Sequence, residues 1–250
     1  KTATTASAKS TAKTKVPKQV DFLSWDDAKA NEYIALRGVL IVAPGTFNEK
    51  TAYLQGEDGS GPGVELYFSK ADWPTLDPGD IVLATGKKSA VKSGRRLLLF
   101  STDDIEVLDH TDLTAAAVAI DGLTEQQHNT LVLLAGDIAK NGKNDLALQD
   151  ANEAISVKLT KASIASPDLL PKSSGEVIGV YRYGAKPELW PRDETDVAID
   201  EVDTNQTPLP VIDAVINSHD KTARTSTASP WRNAFLTISA AIVIGLAYFF

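Results

Sequence analysis

Five cationic side chains lie within a run of ten residues that contains no acidic residue: Lys87, Lys88, Lys92, Arg95 and Arg96. Flexible cations grouped in this way can neutralise the phosphates of a nucleic acid. Three aromatic residues earlier in the chain, Phe47, Tyr53 and Tyr67, could supply faces on which unpaired bases stack. These residues indicate binding of a single-stranded nucleic acid. The alternative is a solvated basic loop that only discourages edge-to-edge pairing of strands.

A second, thinner group of candidate residues lies further along the chain and mixes rings with cations. Such a group can bind bases or sugars, but a Trp between Leu and Pro is equally typical of a plug at the end of a barrel. We treat the group as an auxiliary site made of Tyr181, Arg182, Tyr183, Lys186, Trp190 and Arg192.

Residues suited to catalysis are sparse in this chain. It has no Cys and three scattered His, which excludes thiolate zinc sites and cysteine nucleophiles. Asp103 with Asp104, and Glu194 with Asp196, recur at matching places and are interpreted as caps or turn ligands. The Gly-rich segment 56–63 lacks the Lys-Ser/Thr of a P-loop and is predicted to be a hairpin loop. We therefore predict no enzymatic activity, no cofactor and no metal.

An internal repeat organises the segments that must position these side chains. Residues 35–45 (ALRGVLIVAPG) are echoed by 133–142 (LLAGDIAKNG), and residues 52–70, 73–87 and 96–108 have later counterparts. Within this alignment Gly38 matches Gly136 and Gly79 matches Gly175. Two copies of one small domain are predicted, over residues 21–110 and 111–203.

Each copy is predicted to hold five short strands. Alternating or continuous apolar runs such as 64–68, 81–83 and 97–100 are separated by Gly and Pro turns. Tyr67 and Phe68 must point to opposite faces, so that one of them is a core residue. Residues 111–130 are predicted to form one helix between the copies. Because each copy has only about 75 to 90 residues, too few for two full sheets, a small barrel is favoured over a sandwich.

The strings RGVLIVAPGTFNEKTAYLQ (37–55) and GVELYFSKADWPTLDPGDIVLATGK (63–87), and PELWPRDETDV (187–197) in the second copy, resemble the OB-fold modules of bacterial surface and secreted proteins. Such modules stand beside extracellular nucleases or lamin-tail domains, often in tandem before a C-terminal anchor. The resemblance implies OB barrels displayed outside a bacterial cell, with an upstream domain of the same polypeptide as a possible partner.

The two ends of the chain differ from the acidic middle. Residues 21–203 carry 17 Lys and Arg against 31 Asp and Glu, a net charge of −14. Residues 1–20 are Ala/Thr/Ser/Lys-rich and are predicted to be a disordered linker, and residues 204–232 a stalk. Residues 233–250 are predicted to be a transmembrane helix, in which the uncharged segment 234–250 meets the lipid bilayer. A buried core helix is the alternative.

The prediction is an all-β protein of two tandem OB-like barrels with a C-terminal transmembrane helix. It is a single-pass protein of the cell membrane, with extracellular barrels that capture single-stranded nucleic acid without catalysis. Cations on the stalk side of the span would, by the positive-inside rule alone, place the barrels in the cytoplasm. Two other functions stay open: a structural spacer that presents an upstream domain, and a module that binds glycans or proteins.

Overall fold

The computed structural model describes residues 16–90, 94–142, 145–151, 153–159 and 173–200, and these form an all-β structure. The described part of the first copy contains seven strands: Lys18–Val20 (β1), Tyr33–Val42 (β2), Thr51–Gln55 (β3), Val64–Phe68 (β4), Asp80–Lys88 (β5), Arg96–Leu99 (β6) and Ile105–His110 (β7). The described part of the second copy also contains seven: Ala116–Ala117 (β8), Leu131–Lys140 (β9), Asp145–Gln149 (β10), Ala154–Lys158 (β11), Ser173–Arg182 (β12), Glu188–Trp190 (β13) and Val197–Ile199 (β14).

Five strands of the first copy close into a barrel. Their order around the ring is β2, β3, β4, β6 and β5, and β5 pairs with β2 to complete it. The β4 and β6 strands run parallel, whereas the other neighbours in the ring are antiparallel. A closed five-stranded Greek-key ring of this kind is the OB architecture. The remaining strands, β1 and β7, extend the sheet beside β2 and β5.

The second copy repeats this connectivity. Its ring is β9, β10, β11, β13 and β12, with β11 and β13 parallel and with β12 paired to β9. Its two extra strands, β8 and β14, lie beside β9 and β12. The prediction of two five-stranded barrels in tandem is therefore confirmed.

Strand pairing explains why glycine recurs at Gly38 and Gly136, and it corrects the predicted match of Gly79 with Gly175. A Cβ on Gly38 would lie 2.5 Å from the carbonyl oxygen of Gln55, and a Cβ on Gly136 would lie 2.4 Å from that of Gln149, so both barrels need glycine there. However, Gly38 pairs with Val82 while Gly136 pairs with Gly175. The predicted match of Gly79 with Gly175 is therefore wrong: Gly79, at φ +101°, belongs to the turn before β5.

One acid of each predicted pair, Asp104 in the first copy and Asp196 in the second, has the structural role that their recurrence predicted. Asp104 Oδ2 accepts hydrogen bonds from the backbone N–H of Phe100 at 2.6 Å and of Ser101 at 3.0 Å. Asp196 Oδ2 accepts the backbone N–H of Arg192 at 2.7 Å, four residues earlier in the same way. Each closes the turn that leads into the last strand of its copy.

Alternation along the strands separates the core from the outer face. In β4, Val64, Leu66 and Phe68 are buried in the core of the first barrel, whereas Glu65 and Tyr67 face outward. The expectation that only one of Tyr67 and Phe68 is a core residue is thus confirmed. The Gly-rich segment 56–63 joins the antiparallel strands β3 and β4, as expected of a hairpin loop.

The segment between the copies is not the helix that was predicted. Residues 116–117 form β8, which pairs in parallel with β9, and single 3₁₀ turns follow at Ile120–Gly122 and Glu125–Gln127. The Thr124 hydroxyl accepts a backbone N–H at the start of the second turn. Pairing with the edge of β9 supplies backbone hydrogen bonds to this segment, and these outweigh its local preference for a helix.

The N-terminal segment becomes ordered earlier than predicted. Residues 18–20 form β1 and the Val20 side chain is buried, so the predicted linker cannot extend to residue 20. Phe22 and Trp25 follow and are buried in the core of the first barrel. The rest of the linker prediction, over residues 1–15, lies outside the described residues.

The two barrels belong to one compact unit and share an apolar seam. Ile41, Val42 and Tyr53 of the first barrel pack with Leu131 and Val180 of the second. The Gly63 N–H donates to the His128 carbonyl at 2.7 Å, and a Cβ on Gly63 would lie 2.1 Å from the Asn129 carbonyl oxygen, which restricts this contact to glycine.

The predicted stalk (204–232) and transmembrane helix (233–250) lie outside the described residues. Within the described ranges, no helix has the length and apolar character needed to cross a bilayer.

Candidate functional site

A groove of about 390 Å³ opens on the outer face of β3 and β4, where the second barrel borders the first. We call it the seam groove. Strand register places its strand residues together, since Tyr53 pairs with Glu65, Thr51 with Tyr67, and Glu65 with Arg96. The lining residues are Phe47, Asn48, Lys50, Thr51, Tyr53, Glu65, Tyr67, Arg96, Arg182 and Trp190.

Aromatic rings from both barrels form one wall of the seam groove. Phe47, on the loop between β2 and β3, meets Tyr53 edge to face, with centroids 5.8 Å apart. It also meets Trp190 of β13 edge to face at 5.4 Å. Phe47 and Trp190 are only partly buried, so flat apolar surface remains open to a ligand.

Arg182 brings a cation from the second barrel to this aromatic wall. Its guanidinium carbon lies 5.5 Å from the Tyr53 ring centroid and 5.0 Å from that of Trp190. Its Nη1 donates to the Tyr53 hydroxyl at 2.6 Å. Burial raises the pKa of Tyr53, an effect that Arg182 partly opposes, so the phenol is neutral at pH 7. The result is a fixed, half-buried cation on a ring platform.

Arg96 forms a second such unit on the other side of the groove. Its guanidinium carbon lies 5.2 Å from the Tyr67 ring centroid. Its Nη2 also lies 2.9 Å from Glu65 Oε1. Because Glu65 is only 7% exposed, its charge has little access to water and depends on this pairing. Glu65 therefore holds Arg96 in place and offsets part of its charge.

The seam groove is positive although the chain is acidic. Three lining side chains are cationic (Lys50, Arg96 and Arg182), and one, Glu65, is anionic. The whole chain carries a formal charge of −8. Positive charge is thus concentrated where open ring faces occur.

Six of the residues singled out in the sequence meet in this groove, from both predicted groups: Phe47, Tyr53, Tyr67, Arg96, Arg182 and Trp190. Lys50, Thr51, Asn48 and Glu65 also line it and were missed. Glu65 could have been predicted, because it lies two residues before Tyr67 and therefore on the same face of the strand. Thr51 lies two residues before Tyr53 on the same face of β3, whereas the positions of Asn48 and Lys50 depend on the conformation of the β2–β3 loop.

Two cations of the basic run have structural work inside the first barrel. Lys88 Nζ donates to the carbonyls of Trp25 and Ala28, both at 2.8 Å. Arg95 Nη1 donates to the carbonyls of Phe22 at 2.6 Å and Pro62 at 3.1 Å. They hold the N-terminal segment against the barrel. Lys87 is exposed, and Lys92 lies outside the described residues.

The residues predicted as an auxiliary site do not assemble around one loop of the second barrel. Arg182 and Trp190 enter the seam groove, whereas Tyr181 is buried in the second barrel's core. Arg192 is bound to Asp196, with Nη2 2.7 Å from Oδ1, and its Nη1 approaches the Ile41 carbonyl at 3.5 Å. Tyr183 and Lys186 are exposed. Alternation along β12 directs Tyr181 and Arg182 to opposite faces, and the ion pair with Asp196 holds Arg192 away from the other members of the group.

The matching face of the second barrel has different chemistry. By strand register, Ala147 takes the place of Tyr53, Ser156 that of Glu65, Lys158 that of Tyr67, and Glu188 that of Arg96. Lys158 forms an ion pair with Asp145. None of these four residues is aromatic and an acid takes the place of Arg96, so these positions lack the ring and cation pairs of the seam groove.

No protein-family model and no curated protein matches the chain. Among solved structures it is similar to the telomere capping protein Ten1 from Saccharomyces pombe, at 12% identity and a TM-score of 0.27, over 30% of this chain and 76% of that one. It is also similar to the p204 HINb domain, at 13% identity and a TM-score of 0.34, over 65% of this chain and 95% of that one. The tetrameric p202 HIN2 is similar at 12% identity and a TM-score of 0.33, over 69% of this chain and 96% of that one.

Proposed function

We propose that this protein binds nucleic acid, without catalysis, in the seam groove. The observation that carries the proposal is the convergence of two arginines on aromatic rings: Arg182 lies on the buried Tyr53 and the partly exposed Trp190, and Arg96 lies on the partly exposed Tyr67. Base stacking on rings supplies sequence-tolerant affinity, and nearby cations track the phosphates. Binding by one OB face and its adjoining loop is a general use of this architecture.

A single strand is the preferred ligand in this proposal. Stacking on the groove's rings requires bases whose faces are free, and the bases of a duplex already stack on one another. The groove combines strand residues with the β2–β3 loop, and the second barrel adds Arg182 and Trp190. We assign Lys87, Lys92 and Lys186 to outer phosphate contacts, and Lys88 and Arg95 to support of the fold.

The test is fluorescence anisotropy of the full chain with labelled single-stranded DNA, single-stranded RNA and duplex DNA over a range of salt concentrations. The two groove cations that Glu65 does not offset, Lys50 and Arg182, predict a slope in log K against log salt of about −1.4, at roughly 0.7 for each phosphate neutralised on a single strand, and outer lysine contacts make it steeper. Single strands that bind more tightly than the duplex would support the proposal. It fails if no strand binds at low salt, or if the duplex binds as tightly.

Variants then locate the site. Lys50→Gln should weaken binding, whereas Lys140→Gln, which removes an exposed lysine of the second barrel, should leave it unchanged. Equal effects of the two changes would indicate general attraction rather than a groove.

A glycan-binding module is the second candidate, because Trp190 and Phe47 present adjoining rings at the groove. It predicts binding that is insensitive to salt and depends on Trp190. The same anisotropy assay with a labelled oligosaccharide distinguishes the two functions.

We further propose that residues 234–250 anchor the chain in a membrane. In this proposal the barrels lie outside the cell and present an upstream domain of the same polypeptide. The support is the uncharged apolar run itself. Flotation of the full chain with vesicles, compared with a chain ending at residue 233, tests the anchor. Protease access in whole cells tests the orientation.

A further inference from the structure

A second cavity, of about 580 Å³, lies at the end of the first barrel beside the second barrel. We call it the end cavity. Its lining includes Trp25, Asp26, Lys88, Arg95, His128 and Tyr183. Its volume is within the range of small-molecule sites, roughly 300 to 1,000 Å³.

Two cations with little exposure occupy the lining of the end cavity. The side chains of Lys88 and Arg95 are 13% and 14% exposed. Their hydrogen bonds to backbone carbonyls satisfy donors but leave the positive charges without a matching negative charge. The carboxylate they share is Asp26, whose Oδ2 lies 2.9 Å from Arg95 Nη2 and whose Oδ1 lies 3.8 Å from Lys88 Nζ.

Asp26 is a weakly held partner for this pair. Its side chain is 75% exposed and it sits in a single 3₁₀ turn, Trp25–Asp27. An exposed carboxylate gains little from an ion pair and can turn into solvent at small cost. The cavity lining includes a second acid, Glu125, but Asp26 is the acid within ion-pair distance of the two cations, so a single carboxylate serves both.

His128 is a neutral side chain in the lining of the end cavity. Burial, followed by Arg182 and Arg95, lowers the pKa of His128 to about 4. Its Nδ1 accepts the Tyr183 N–H at 3.0 Å, so the neutral ring carries its proton on Nε2. Next to it the Tyr183 side chain is half exposed and offers a ring to the same space.

We propose that the end cavity binds a phosphate monoester of nucleotide size, whose phosphate replaces the Asp26 carboxylate between Lys88 Nζ and the Arg95 guanidinium. A dianionic phosphate matches both cations and accepts charge-assisted hydrogen bonds from them. The sugar or base then lies against the Tyr183 ring. The ligand is either a free nucleotide or the phosphorylated end of a strand.

Two pairs of consecutive residues connect the end cavity with the seam groove. Arg95 lines the former and Arg96 the latter, and Tyr183 lines the former and Arg182 the latter. The two cavities therefore lie on either side of the same two backbone segments. A strand end is a possible source of the phosphate only if the seam groove binds nucleic acid, whereas a free nucleotide requires no such binding.

Calorimetric titration of the full chain with thymidine monophosphate, thymidine and inorganic phosphate tests the inference. We expect the monophosphate to bind, thymidine not to bind, and phosphate to bind more weakly. Asp26→Asn should tighten binding of the monophosphate by about 3- to 5-fold, in line with removal of one competing charge contact worth up to about 1 kcal/mol. The matched control, Asp27→Asn, removes a neighbouring exposed acid and should change the affinity less than twofold.

The outcomes are separable. Absence of monophosphate binding, or equal effects of Asp26→Asn and Asp27→Asn, would overturn the inference. Equal affinity for phosphate and monophosphate, or no loss with Tyr183→Ala, would overturn its nucleotide part. Wild-type titration decides the first point even if a variant misfolds. An oligonucleotide with and without a 5′-phosphate separates strand ends from free nucleotides, and its failure to bind leaves the monophosphate result standing.

Discussion

Tyr53 and Arg182 are 129 residues apart in the sequence, yet the Arg182 guanidinium donates to the Tyr53 hydroxyl at 2.6 Å. Tyr53 belongs to β3 of the first barrel and Arg182 ends β12 of the second. The contact makes the seam groove a composite of both copies. Neither barrel alone contains the aromatic wall together with its cation.

Arg182→Gln should weaken binding of single strands and reduce the steepness of log K against log salt by about 0.7, because one phosphate contact is lost. Anisotropy titrations at several salt concentrations measure the slope. The control is Arg37→Gln, which removes an exposed arginine paired with Glu57 elsewhere on the first barrel. An unchanged slope in Arg182→Gln would remove Arg182 from the site.

Tyr67→Ala should reduce affinity for a single strand by about 5- to 150-fold, since stacking of one base on an aromatic ring contributes roughly 1 to 3 kcal/mol. Tyr67→Phe keeps the ring and should bind nearly as well as the wild type. Phe100→Ala removes an exposed ring that does not line the groove and should have no effect. Loss of binding in the Phe variant would show that the hydroxyl, not the ring, is what matters.

Glu65→Gln should increase both affinity and salt dependence. Glu65 lies 2.9 Å from Arg96 and offsets its charge, so its neutralisation makes Arg96 available to a phosphate and raises the slope by about 0.7. The same change should lower the free energy of unfolding, because a buried pair loses one member. Urea unfolding and anisotropy on the same sample measure both effects. Weaker binding at full folding would contradict the role given to Glu65.

Ile41→Ala should lower the free energy of unfolding by about 2 to 5 kcal/mol, as expected of a large-to-small change at a buried position. Ile41 is fully buried and packs in the seam rather than in either barrel core. Val107→Ala, at an exposed position of β7, should change stability by less than about 0.5 kcal/mol. Denaturant titrations of both variants provide the comparison. If Ile41→Ala lowered the free energy of unfolding no more than Val107→Ala does, the seam would contribute little to stability.

Stability should fall as the pH decreases from 6.5 to 4, and His128 should contribute to the decrease. Its pKa is about 4 in the fold against 6.5 for the unfolded group, so between these values the unfolded chain binds more protons. His110 acts in the opposite sense: its hydrogen bond with Asp80 raises its pKa, and its contribution is lost as the pH rises. The control for the His128 effect is therefore the same titration with His110→Asn.

His128→Asn keeps an acceptor for the Tyr183 N–H but does not titrate, so its free energy of unfolding should decrease less between pH 6.5 and 4 than that of the wild type. Urea midpoints at four pH values in this window measure the difference. Parallel pH profiles for the wild type and His128→Asn would contradict the assignment.

The strands and the repeat could be predicted from the sequence because they depend on local patterns. Alternation showed that one of Tyr67 and Phe68 must be a core residue, and turn residues marked the strand ends. The helix predicted over 111–130 was wrong because β8 gains hydrogen bonds from β9, a partner that lies outside any local window. The match of Gly79 with Gly175 failed for a related reason, since register is set by cross-strand pairing.

The candidate residues show the same division. Residue type was enough to mark Phe47, Tyr53, Tyr67, Arg96, Arg182 and Trp190 as ring and cation chemistry, in two separate groups. Only the packing of one barrel against the other brings them into one groove, and only burial shows that Lys88 and Arg95 hold backbone carbonyls. Side-chain chemistry is a local property, whereas proximity across 129 residues and loss of contact with water exist only once the chain has folded.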